Sequence, residues 1–320
     1  MPTARVRSAA AVASLCATLA ACSSSAPPAA APRSSAATTA AAPSAMVARP
    51  SPTVALRASL SDCPTAPVRA ASLPVLFRAG APDDLAVDRS GGLWIADVSA
   101  GTVTRVDPST GAPGTVLRGF SSPEGIVALS ASAVLVAEQG RDRVVEVLDG
   151  RQAPVPTTLP PSNGALGIDG IAADAARSRF LYPDSPHGTL LAKGLRSTDP
   201  LATLATGLGR PVGVVDAGDA LYVVAENPAP RGLLRVPLDG GAATPVGSLS
   251  QLDDVAARHG LLYVTDLAAR MVRAVDPATG EQRVVATGFG QPQGLAVLPD
   301  GRLAVADEDA GRVAALPACG

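Results

Sequence analysis

One motif recurs six times between residues 81 and 307, and this periodicity constrains the fold more than any other feature of the chain. In the first copy, Pro82-Asp83-Asp84-Leu85-Ala86-Val87 leads through a glycine turn to Leu93-Trp94-Ile95-Ala96-Asp97 and then to Thr102-Val103-Thr104-Arg105-Val106. Later copies open at Pro123-Glu124-Gly125-Ile126, Ile168-Asp169-Gly170-Ile171, Pro211-Val212-Gly213-Val214, Leu252-Asp253-Asp254-Val255 and Pro292-Gln293-Gly294-Leu295. In each, a second apolar run closes on an acid. These acids are Asp97, Glu138, Asp184, Glu226, Asp266 and Asp307, spaced 41, 46, 42, 40 and 41 residues apart. A unit of this length, with several short apolar runs divided by Gly, Asp and Ser turns, is a propeller blade.

A further short strand lies before each unit, for example Thr115-Val116-Leu117 and Val284-Val285-Ala286, and belongs to the outside of the preceding blade. The first such strand, Pro74-Val75-Leu76-Phe77, has no preceding blade, and the last unit has no strand after it. The predicted fold is therefore all-β: a six-bladed β-propeller of four-stranded antiparallel blades over 58–320. The N-terminal strand 74–77 closes the ring by pairing into the last blade, near 312–316. Closure removes the unpaired edges that would otherwise template aggregation. The same topology brings Cys63 towards Cys319, and an even pair in an exported chain predicts a disulfide.

The pattern resembles the NHL-repeat propellers and, more distantly, the gluconolactonase/regucalcin (SMP-30-like) lactonases. The residues that carry it are Pro-x-Gly/Asp-apolar on the inner strand and Tyr/Trp-x-x-Asp/Glu at the end of the second, over about 74–317. The NHL resemblance implies that a closing acid braces a turn with a nearby Arg, which four blades offer as Arg141 or Arg143, Arg231, Arg270 and Arg312; blade 3 offers His187 instead and blade 1 nothing basic. The lactonase resemblance implies a divalent ion held by a Glu, an Asn and an Asp from different blades. Asp83 or Glu124 matches the first in type and Asp253 matches the last in context. The Asn position falls at Val212, and the Glu-Gly-Pro of the first blade is Asp83-Asp84-Leu85 here.

The chain before the repeats reads differently. Arg5 and Arg7 precede an apolar stretch from Ala9 to Ala21, about half the length that spans a bilayer, which predicts a signal peptide over 1–21. It ends in Leu19-Ala20-Ala21-Cys22, which looks like a bacterial lipobox, so Cys22 is the expected lipidation site. Residues 22–57 are dominated by Ala, Ser, Pro and Thr and are expected to form a disordered tether. The expected location is extracytoplasmic, on the cell membrane or surface, held by the lipid anchor, with the propeller a monomer. From Ser59 onward 28 acids face 20 arginines and Lys193, a net of −7, which disfavours nucleic acid as a partner.

Candidate chemistry lies where the inner strands begin. Asp83, Glu124, Asp169, Val212, Asp253 and Gln293 occupy one equivalent position in the six blades and should ring the central channel. Clustered carboxylates need neutralising, either by a hard cation such as Ca²⁺ or by shared protons. Asp83, Glu124, Asp169 and Asp253 are the candidate ligands for Ca²⁺ or another divalent ion. Of the two histidines, His187 falls on the channel-mouth side and is the candidate catalytic residue, whereas His259 falls in a turn on the far side. Trp94, Tyr182, Tyr222 and Tyr263 share one blade position and read as packing. The expected function is a surface-anchored binding or sensor propeller, for a small-molecule or protein ligand, with a divalent-cation site in its channel. The alternatives are a metal-dependent lactonase and a His-dependent propeller lyase.

Overall fold

The computed structural model describes residues 57–153, 157–195 and 198–320. The signal peptide, Cys22 and the tether as far as residue 56 lie outside the described residues. Six antiparallel sheets follow one another along the chain, spanning 82–118, 123–158, 172–206, 210–245, 252–287 and 292–316; we call them blades 1 to 6. Inner strands of successive blades touch all the way round, and the contact of Pro292–Val297 with Pro82–Val87 completes the ring.

The strands are apolar on both faces because each blade is packed between two others. Along Leu93–Asp97 every residue is buried. Trp94 and Ala96 enter the cluster shared with blade 2, while Leu93 and Ile95 enter the one shared with blade 6. This is the period-2 alternation of a strand, with core on either side. The core is accordingly six clusters, one per blade interface. Trp94, Tyr182, Tyr222 and Tyr263 are all fully buried within them, as packing residues should be.

Closure follows the predicted topology. Val75–Arg78 pairs antiparallel with Arg312–Leu316, with Val75 opposite Ala314 and Arg78 opposite Arg312. Cys63 and Cys319 are disulfide-bonded, with Cα atoms 4.2 Å apart, across a sequence separation of 256 residues. The Tyr263 hydroxyl accepts from the Cys319 N–H at 2.8 Å, and Arg258 Nη1 donates to the Cys319 carbonyl at 3.0 Å. Two features depart from the predicted four-stranded plan. Val68–Arg69 adds a parallel fifth strand to blade 5 beside Ala286 and Thr287. The outer edge of blade 2 is broken into Arg151–Gln152 and Thr157–Thr158.

The glycines of the repeat explain how tightly the ring is drawn. A Cβ at Gly125, Gly170 or Gly294 would lie 2.6 Å from a backbone oxygen of the next blade's inner strand, too close for any side chain. Blades 1 and 5 carry Asp84 and Asp254 at this position instead. Each reaches across the seam: Asp84 Oδ2 accepts from the Ile126 N–H of blade 2, and Asp254 Oδ2 accepts from the Leu295 N–H of blade 6, both at 2.7 Å.

Candidate functional site

Two rings of acids share the face on which inner strands begin and second strands end. In the outer ring, charge is well matched. Glu138 is fully buried and takes Arg141 at 2.7 Å and Arg143 at 2.5 Å, so both of the alternative partners are used. Asp307 pairs with Arg312 at 3.0 Å and accepts the Gly290 and Gln291 N–H groups. Asp266 pairs with Arg273 at 2.8 Å, not with Arg270, which sits in a left-handed turn conformation. Arg231 likewise turns to Asn227, and Glu226 is paired with Arg210. Among the described residues no cation pairs with Asp97. Burial opposes its charge, but N–H groups from Gly80, Ala81 and Ala100 and the Ser99 hydroxyl outweigh that and hold its pKa below the usual range.

Asp184 is met by His187 Nδ1 at 2.8 Å. The short turn Ser185–His187 is fixed by the Ser185 hydroxyl, which donates to the Pro211 carbonyl at 2.6 Å. The imidazole remains about a third exposed, at 35 %, so His187 stands on the mouth face as expected, oriented by a buried carboxylate.

The inner ring is different. Asp83, Glu124, Asp169 and Asp253 line one small cavity at the neck of the channel, and Asp84 and Asp254 line it with them. Burial and mutual repulsion raise the pKa of Asp83 and of Asp253 well above the usual carboxylate value. For Asp83 the repulsion comes from Asp253, Glu124 and Asp169. Burial, repulsion by Asp169 and a hydrogen bond to Asp169 push Glu124 up to about 10. The hydrogen bond between them raises Glu124 and lowers Asp169, and Glu124 Oε2 accepts from Gln139. Burial raises Asp169 although Arg210 Nη2 donates to it at 2.6 Å. Burial pushes Asp254 to about 6, against two backbone N–H bonds.

The neck therefore concentrates six carboxylates, and Arg210 reaches one of them, bridging Asp169 of blade 3 and Glu226 of blade 4. Arg210 was not anticipated, although it stands directly before Pro211, where the equivalent residues of the other blades are uncharged. Gln139, Asp84 and Asp254 were also missed as members of the site. Among the described residues, no group of three or more His, Cys, Asp or Glu side chains has the spacing to hold a metal ion as it stands. The lactonase-type donor set does not fit either: Val212 offers no ligand, and Arg210 occupies Asp169.

The NHL repeat family matches residues 289–316, the inner, second and third strands of blade 6. No curated protein matches the sequence. Among solved structures, a gluconolactonase from Xanthomonas campestris is 15 % identical with a TM-score of 0.62, over 76 % of this chain and 88 % of that one. A streptogramin B lyase is also 15 % identical, with a TM-score of 0.55, over 77 % of this chain and 94 % of the other. A chain of a nidogen/laminin complex is 22 % identical, with a TM-score of 0.54, over 64 % of this chain and 83 % of that one. At these identities the likeness is one of fold, and propellers host unrelated activities.

Proposed function

We propose that this chain is a surface-anchored binding or sensor propeller whose ligand sits at the mouth, over a neck that takes up a cation. The observation that carries this reading is the excess of carboxylate at the neck, with Arg210 as its paired base. Burial and repulsion dominate at Asp83 and Asp253, so they are groups that gain from a cation. A Ca²⁺ ion there would draw in Glu124 and Asp169 once the proton on Glu124 is displaced, so cation and proton compete for one site. In the same reading Cys22 carries the lipid that anchors the protein outside the cytoplasm. Cys22→Ser should then move the protein from the membrane to the soluble fraction, and a variant still bound to membranes would remove the anchor.

A second reading is catalytic. With Nδ1 held by Asp184, the other ring nitrogen of His187 is free to act as a general base at the mouth. Support for it comes from this dyad and from the fold shared with a streptogramin B lyase. Support for a lactonase is thinner: it rests on fold likeness to a gluconolactonase, without that family's ligand set.

One experiment separates the readings. Ca²⁺ should raise the melting temperature of the full chain by mass action, more at pH 8 than at pH 5. Asp83→Asn with Asp253→Asn should abolish the increase. No ion-dependent shift at either pH would leave an acidic neck that binds no cation. Lactones and cyclic depsipeptides run alongside should remain intact. Turnover lost in His187→Ala, with the Ca²⁺ shift unaffected, would replace the binding reading with the catalytic one.

A further inference from the structure

Below the neck the channel changes character. A second cavity of about 360 Å³ is lined by the inner strands of all six blades, running from Asp84 and Asp254 towards the face opposite the mouth. Every lining residue except these two acids is Gly, Ala, Val, Leu or Ile. No Ser, Thr, Asn, Gln, Lys or Arg contributes to its wall. At its upper end successive inner strands are tightly packed: an added Cβ at Gly170 or Gly213 would lie under 3 Å from the next inner strand.

Asp84 and Asp254 lie in blades 1 and 5, on either side of blade 6. Both carboxylates are fixed in place. Each accepts its own strand's next N–H at 2.7 Å, from Leu85 and Val255, as well as the N–H across the seam. The pair is thus a rigid acidic end to an otherwise apolar tube. Both acids also line the neck cavity, so Arg210 serves the far side of the cluster, bonded to Asp169 and Glu226 and not to them.

We propose that this lower channel binds a small organic cation, an ammonium group on a compact apolar body, with the ammonium at Asp84 and Asp254 and the body along the Ala and Val walls. Charge complementarity selects the head: an ammonium presents three donors to two fixed carboxylates and supplies the positive charge that the cluster lacks. The wall selects the body, because its Gly, Ala, Val, Leu and Ile residues pack against apolar carbon and offer a sugar's hydroxyls no side-chain partner. The volume lies in the range of small-molecule pockets, which are apolar with a few placed polar groups. This site is separate from the mouth proposed above and would stand if the mouth bound nothing.

The test uses the full chain and three probes: phenethylamine, its uncharged isostere 2-phenylethanol, and methylammonium, which has the charge without the body. At a concentration some tenfold above its Kd, phenethylamine should raise the melting temperature by about 3 °C, with no comparable shift from the other two. Asp84→Asn and Asp254→Asn keep an oxygen for the cross-seam N–H and should each weaken phenethylamine binding at least about tenfold, as loss of one charge-assisted contact would. Ala257→Leu, which fills the tube without touching charge, should also block it. Binding must persist in the Asp83→Asn, Asp253→Asn variant, which changes two of the neck's four candidate cation ligands and leaves Asp84 and Asp254 in place. Equal shifts from the alcohol would reduce the site to an apolar cavity, and equal shifts from methylammonium would reduce it to a charge sink. No binding by phenethylamine, or binding unaffected by Asp84→Asn and Ala257→Leu together, overturns the proposal.

Discussion

The two acidic rings stand on one face, a few residues apart along the same hairpins, and, Glu226 apart, their carboxylates have different surroundings. Outer-ring acids are buried where arginines and backbone N–H groups converge on them: Asp307 has Arg312 and two N–H donors, and Asp97 has three N–H donors and a hydroxyl. Inner-ring acids are buried among one another, and Asp83, Glu124 and Asp253 are held towards the protonated form. Burial alone therefore does not decide what a carboxylate does in this molecule; the number of donors aimed at it does. The outer ring is built to hold its blades, and the inner ring is built to respond to protons or cations.

Truncation should expose that difference most strongly. Asp307→Ala leaves Arg312 and two N–H groups facing an emptied, buried site, and should cost about 3–5 kcal/mol of unfolding free energy. The same truncation at Asp83 removes a repelled carboxyl and should cost under about 1 kcal/mol. Urea denaturation of the two variants at pH 7 measures both. Equal losses would mean that the rings do not differ in kind.

The fold was legible because the repeat carries two independent signals, a spacing near 42 residues and runs such as Leu93–Asp97 that are apolar at every position. The inner ring was legible as well, since one register position places Asp83, Glu124, Asp169 and Asp253 together. Pairings across strands were not. Arg270 is nearer to Asp266 in sequence, but Arg273, in the neighbouring strand, is the residue whose guanidinium reaches it. The strand Val68–Arg69 has two residues and no alternation to announce it. The lower channel was invisible for another reason: Ala86, Ala128 and Ala257 have the composition of core, and only the closed ring reveals that they line a cavity.

Glu124 offers the finest separation of the rings, because its pKa shift has a sign that can be followed. Its ordinary value of 4.5 rises to about 10 in the folded protein. The stability it contributes as a protonated donor is fully present below pH 4.5 and is lost as pH rises through about 10, since the unfolded chain releases that proton first. Gln in its place keeps a donor for Asp169 and an acceptor for Gln139, and has no proton to lose. Glu124→Gln should therefore match wild type near pH 4 and then pull ahead by up to ~1.4 kcal/mol per pH unit, reaching on the order of 2 kcal/mol by pH 7. Saturating Ca²⁺ should narrow that gap if the cation displaces the same proton. Urea midpoints at pH 4, 5.5 and 7 decide the matter. Parallel curves for the two proteins would mean that Glu124 is ionised in the native state, and the inner ring would then be an ordinary set of solvated carboxylates like any on the surface.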